Sequence, residues 1–221
     1  LKEHTPVFEH SYGLWYERRR VEHDTPARSD AEVWPPFLEQ PWARSGKGRA
    51  WDGLSQYDLT KFNPWYFGRL REFAEHCDAK GAILYYDCYE QHNLIESHSH
   101  WVDSPWRPVN CLQQTELPHV APVADGFYDT THPLRSELQK LYLNKVLDEL
   151  GRYGNVIYFP SKEFTGPLPW IRTWVDTIME WEKKNDRQVQ IGLMCTKDVV
   201  DAILEDPVRG PAISVVDMQL W

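Results

Sequence analysis

The stretch Asn155 to Gly166, NVIYFPSKEFTG, constrains the fold more than any other. It begins apolar, β-branched and aromatic, and ends in a charged turn. Helical patterns of roughly twenty residues precede and follow it. A short apolar run between two helices reads as a buried parallel strand, because such a strand is covered on both faces. Its last residues leave the sheet at the carboxyl end. The loops after parallel strands converge there, and ligands and catalytic groups collect there. Glu163 stands at that end.

The flanking sequence repeats the pattern. Asn63 is a good N-cap and Pro64 suits the first helical position. Trp65, Phe67, Leu70, Phe73 and Ala74 then recur at helical spacing, and Gly81 supplies a stop. A strand follows at 82–89, AILYYDCY, and then a polar, His-rich loop over 90–130. His132-Pro133 opens a second long helix, to about Tyr153. After the central strand, a third helix runs from about Pro169 to Lys184. VQIGLMC (189–195) is a third strand. Thr196 caps a short helix that ends before Pro207, and AISVVDMQLW (212–221) is a fourth strand.

Residues 1–62 are rich in Trp, Pro, Gly and charge and show little periodicity, apart from a helical turn or two over Tyr12 to Glu22. They read as a long ordered loop of the same domain, and loops of that length are usually functional. The strand–helix alternation predicts an α/β fold with a parallel sheet and right-handed crossovers. A barrel and a doubly wound sheet both fit. No glycine-rich nucleotide-binding turn follows any strand, which favours the barrel. Four strands do not close a barrel of eight. The expectation is therefore one domain over 1–221, a partial (β/α)8 TIM barrel carrying about strands 3–6. Leu1 is not an initiator Met, and the natural protein is expected to continue past Trp221.

Composition narrows the function. A net charge of −9 argues against nucleic acid, which wants a basic stripe, and Arg18 to Arg20 are too short a run to supply one. No apolar run reaches the length of a membrane span. Cys77, Cys88, Cys111 and Cys195 form no CxxC pair, and Cys77 and Cys88 read as buried thiols. Eleven Trp and eleven Tyr are a heavy aromatic load. Trp34, Trp42, Trp51, Trp101 and Trp106 fall on loops, where flat rings can wall a cleft or fill a loop core. In one cleft they would suit carbohydrate.

The chemistry-bearing residues cluster at strand ends. Glu163, flanked in sequence by Phe159 and Phe164, has the position of a carboxyl kept protonated by apolar neighbours, which is what a general acid needs. The plainer reading is a carboxylate paired with Lys162 or an arginine. Asp87 ends the first strand and Asp217 the fourth. Each is a candidate second carboxylate, a hydroxyl partner or an ion-pair member. The loop 90–100 holds Gln91, His92, Asn93, His98 and His100; HxH hints at metal, but no third ligand at fixed spacing supports it, so neither metal nor cofactor is expected. GxSxG, HExxH and P-loop motifs are missing.

Two segments carry a family resemblance. YDLTKFNPWYFGRLREFAEHCDAKGAILYYDCY (57–89) resembles the unit leading through the third strand of the large retaining clan of (β/α)8 glycoside hydrolases. HPLRSELQKLYLNKVLDELGRYGNVIYFPSKEF (132–164) resembles their next unit, in which the acid/base Glu follows the fourth strand. EHSYGLWYERRR, VWPPF and WDGLS are similar to poorly assigned bacterial polysaccharide-degradation proteins of this fold. The resemblance covers about two thirds of the chain, from Tyr57 to its end. It implies a retaining glycosidase with Glu163 as acid/base, while Asp217, by its place at a strand end, is the candidate second carboxylate. Asp87, Gln91, His92, Asn93, Trp42, Trp51, Lys162 and Trp221 would bind the carbohydrate substrate. Lys162 stands where the clan has an Asn that binds a sugar hydroxyl. The clan's nucleophile lies on a seventh strand, expected on unseen sequence or on another chain. Export to the periplasm or beyond is implied by the same resemblance. The alternatives are a carbohydrate-binding barrel without catalysis, or a metal-dependent hydrolase or isomerase built on the histidine loop.

Overall fold

The computed structural model describes residues 6–12, 40–95 and 101–220. The elements run in chain order as β1 (Val7–Ser11), β2 (Trp42–Arg44), β3 (Tyr57–Phe62), α1 (Pro64–Ala79), β4 (Ile83–Tyr89) and α2 (His92–Ile95). They continue as α3 (Ala124–Phe127), α4 (Pro133–Leu150), β5 (Val156–Ser161), α5 (Leu168–Asn185), β6 (Gln190–Leu193), α6 (Lys197–Leu204) and β7 (Ile213–Val216). Two compact units result. One comprises Leu1–Ser11, Arg69–Tyr89 and Thr130–Trp221; the other comprises Tyr12–Gly68 and Glu90–Asp129.

The first unit holds a five-stranded sheet in the order β1-β4-β5-β6-β7, parallel throughout. Spatial order follows chain order without reversal. A doubly wound sheet reverses at a switch point, and no reversal occurs among the described strands. The four strands expected from sequence are all present, though β7 is shorter than the ten residues read for it. The expectation that 1–62 is a loop region needs correction. Val7–Ser11 pairs in parallel with β4, and Trp42–Arg44 forms an antiparallel pair with Tyr57–Phe62. β1 is the outermost strand among the described residues, with Val7, Phe8 and Glu9 exposed, so burial imposes no apolar pattern on it.

Local chemistry sets the helix ends. Asn63 Oδ1 accepts the backbone N–H of Trp65 at 3.0 Å, and His132 Nδ1 accepts that of Arg135 at 3.3 Å, each opening a helix that starts on proline. Gly81 takes φ +66° just past α1, a conformation that costs glycine nothing.

Alternation along the strands separates two sheet faces. Tyr86, on one face, hydrogen-bonds Tyr142 of α4 hydroxyl to hydroxyl at 2.8 Å. Both side chains are fully buried, so the pair avoids a desolvation cost of about 1–3 kcal/mol per orphaned hydroxyl. Tyr89 donates to the Gln139 carbonyl and packs edge-on to Trp170 of α5. The opposite face carries Tyr85, Ile157, Phe159 and Val215, with Met194 packed beside them. Asp87 is on that face, in register between Ser11 and Phe159.

His10 lies on the helix-bearing face, stacked on Tyr86 and edge-on to Phe73 of α1. Burial lowers its pKa from 6.5 to about 4. The fold therefore keeps the neutral ring, while the unfolded chain takes up a proton below about pH 6.5. Stability falls as pH drops from about 6.5 toward about 4. Thermal melts of the wild type and of His10→Phe at pH 7 and pH 4.5 check this. The loss between the two pH values should be smaller in the variant, and equal losses would remove His10 as the cause.

Candidate functional site

The carboxyl end of the parallel sheet brings Asp87, Lys162, Glu163 and Asp217 into the first unit. Glu163 sits in the turn after β5 with φ +50°. The left-handed region costs a side-chain-bearing residue of order 1–3 kcal/mol when the surroundings enforce it. Asp186 takes the same φ for an ordinary reason, as the C-cap of α5. At Glu163 the surroundings do the enforcing. Phe164 N donates to Met194 O at 2.9 Å, Thr196 N donates to Phe164 O at 3.2 Å, and the Glu163 N–H points at Met194 Sδ, 3.3 Å away.

The two phenylalanines expected to enclose Glu163 are engaged elsewhere. Phe159 packs against Tyr85, with ring centres 4.7 Å apart, and Phe164 stacks on Trp170. Glu163 itself is half-buried. Its Oε1 accepts Gln219 Nε2 at 2.6 Å. Gln219 follows β7, and its backbone N–H donates to Asp217 Oδ1 at 2.9 Å. Asp217 N in turn donates to Leu193 O at 2.8 Å, which continues the β6–β7 ladder. The ends of β5 and β7 thus meet through one glutamine. Sequence reasoning passed over Gln219, and the only signal for it was its position two residues after an acidic strand end.

Lys162 does not neutralise Glu163 by direct pairing, as the plainer reading had it. Its Nζ bonds Glu9 Oε1 at 3.0 Å across to β1. Burial pulls the Lys162 pKa down; the hydrogen bond and charge of Glu9, then the charges of Asp87 and Glu163, outweigh it, and the net shift is upward. The lysine is a fixed cation in an acidic neighbourhood. Asp87 is completely buried.

The other site residues read from sequence fall in the second unit. Trp42 is only 1% exposed and packs edge-on to Tyr12 and Trp106, while Trp106 meets Phe127 in the same way. Trp101 is also buried and donates its indole N–H to Pro118 O. These rings are the core of the second unit, not the walls of an open cleft, because a unit with few periodic elements fills its interior with large side chains. Trp51 is half-buried, its backbone N–H held by Asn110 Oδ1. Gln91, His92 and Asn93 are buried, and Gln91 Oε1 accepts the Tyr128 hydroxyl at 3.4 Å. These three, expected to bind substrate from a polar loop, are packed inside the second unit. Their segment is tied inward where Val123 N donates to Leu94 O at 2.7 Å.

Trp221, His98, His100, Trp34 and Arg18 to Arg20 lie outside the described residues. Among the described residues no group of three or more His, Cys, Asp or Glu side chains is arranged to hold a metal ion. All four cysteines are buried and free. Burial pushes the thiols of Cys111 and Cys195 up to about 12 and that of Cys88 well above the usual range, which leaves them protonated and weakly nucleophilic. No helix of the described residues is long and apolar enough to cross a membrane.

Fold and site together define an α/β protein whose charged side chains gather at the carboxyl ends of a five-stranded parallel sheet. The chain belongs to the family described as a domain of unknown function, DUF6298, whose model matches residues 1–221. No curated protein and no solved structure matches the chain.

Proposed function

We propose that this protein is a glycoside hydrolase acting on a polysaccharide or oligosaccharide, with Glu163 as general acid/base and Asp217 as a candidate second carboxylate. One observation carries the reading: Gln219 joins the two acids, its side-chain amide on Glu163 and its backbone N–H on Asp217. Most enzymes that cleave a glycosidic bond use two carboxylates flanking it. One protonates the departing oxygen. The other attacks the anomeric carbon or activates a water. A separation of about 5–5.5 Å goes with retention and roughly 6.5–9.5 Å with inversion.

Three features support this assignment. Glu163 occupies a left-handed position where glycine would be easier, which fits a side chain kept for its chemistry. Lys162 is held by Glu9 and supplies a nearby positive charge without capping the acid. The unreversed order of the described strands agrees with a (β/α)8 architecture, in which catalytic groups stand at strand carboxyl ends.

The test is incubation of the folded wild type with a panel of soluble polysaccharides and aryl glycosides. Released reducing ends are measured, and the first-formed anomer is read by proton NMR. Release is expected on at least one substrate, with the anomer retained. Sugar binding without release would replace hydrolysis by a carbohydrate-binding role, and neither binding nor release would remove the carbohydrate assignment.

A further inference from the structure

We infer that Gln219 is a positioning residue, a spacer that holds the Glu163 carboxyl group in a fixed orientation relative to Asp217; this rests on the glycosidase reading. The geometry specifies the device. Oε1 of Glu163 accepts the Gln219 amide at 2.6 Å, which restricts rotation of the carboxyl group. Gln219 is itself registered to the strand end by Asp217 Oδ1, which takes its backbone N–H at 2.9 Å. Asp217 is registered to β6 through Leu193 O. The sequence of bonds runs from sheet ladder to second carboxylate to spacer to acid without a break. Glu163 also has a pinned backbone, because Phe164 bonds both Met194 and Thr196. Main chain and side chain of the acid are therefore constrained from different strands. The side chain of Gln219 is exposed, so it contributes little to the core, and its size can be kept while its amide is removed. A positioned acid matters most when the leaving group is a poor one, because a good leaving group departs without a proton.

The experiment compares wild type with Gln219→Met and Gln219→Glu. Gln219→Met preserves length and removes the donor; Gln219→Glu sets a like charge against Glu163. Both should melt within a degree or two of wild type, since the side chain is exposed. On a polysaccharide or an alkyl glycoside, kcat of Gln219→Met should fall about tenfold with KM unchanged, and Gln219→Glu should fall further. On an aryl glycoside with a nitrophenolate leaving group, Gln219→Met should stay within about twofold of wild type. Equal losses on both substrates, or no loss on either, would overturn the spacer. Carboxyl-13C-labelled glutamate adds a readout free of turnover. The Glu163 resonance, identified by its absence in Glu163→Gln, should move in Gln219→Met at neutral pH, and an unmoved resonance would also overturn the spacer. A resonance that moves in Gln219→Met, beside a wild type that hydrolyses nothing, would keep the contact and overturn the glycosidase reading instead.

Discussion

Glu163→Gln is expected to lower kcat on a substrate with a poor leaving group by about 10²–10⁴-fold, at an unchanged melting temperature. The amide is nearly isosteric with the acid. It still offers an oxygen to Gln219 Nε2, and it leaves the φ of +50° as it was. What it cannot do is give up a proton to the glycosidic oxygen. An aryl glycoside with a good leaving group should be spared most of the loss in its first step, and added azide should restore release where hydrolysis of a glycosyl intermediate limits turnover. Glu163→Gly divides chemistry from conformation. It should abolish the same activity and yet raise stability by about 1 kcal/mol, because glycine accepts the left-handed region without strain. For a chain of this size that is a melting-temperature rise of roughly 2–4 °C. A glycine variant that is both less stable and still active would reduce Glu163 to a structural residue. Full turnover by Glu163→Gln would remove the acid/base role outright.

The elements with strong local patterns were legible in the sequence, and those without were not. α1, α4 and α5 announce themselves by apolar spacing and by proline-led starts. The strands β4, β5, β6 and β7 sit between them as apolar runs. β1 escaped because VFEHS is largely exposed and has neither the length nor the alternation to stand out. β3 carried a usable signal: Tyr57 and Leu59 are buried two residues apart, an alternation hidden inside a Trp- and Pro-rich stretch. The site was legible as residue types at strand ends, so Glu163, Asp87 and Asp217 could be named. Its connections were not. Which acid Lys162 pairs with depends on β1 lying beside β4, a pairing across more than seventy residues of chain. The tryptophans stayed ambiguous between cleft and core for a related reason. Residues on irregular backbone carry no period to tell a core from a cleft, and Trp42 turned out to be core.

Gly192→Ala is expected to destabilise the first unit by about 1–3 kcal/mol, although it adds a single methyl group. A Cβ built on Gly192 falls 2.4 Å from Phe159 Cε1 and 2.6 Å from its Cζ, far inside van der Waals contact. The ring cannot simply swing away. It is completely buried, tilted against Tyr85 with centres 4.7 Å apart, and packed with Ile157 and Met194. Gly192 is therefore the socket of Phe159, and the strand carrying that ring runs directly into Ser161, Lys162 and Glu163. Gly192→Val should cost more, because a branched side chain has no rotamer that avoids the ring. Coupling identifies the cause. In a Phe159→Leu background the smaller side chain frees the socket, so Gly192→Ala should cost little there, and the two substitutions should be non-additive by about 1 kcal/mol or more. Urea denaturation of the two single variants, the double variant and the wild type measures this. Strict additivity would mean that the methyl group and the ring never meet, and that Gly192 is glycine for some other reason.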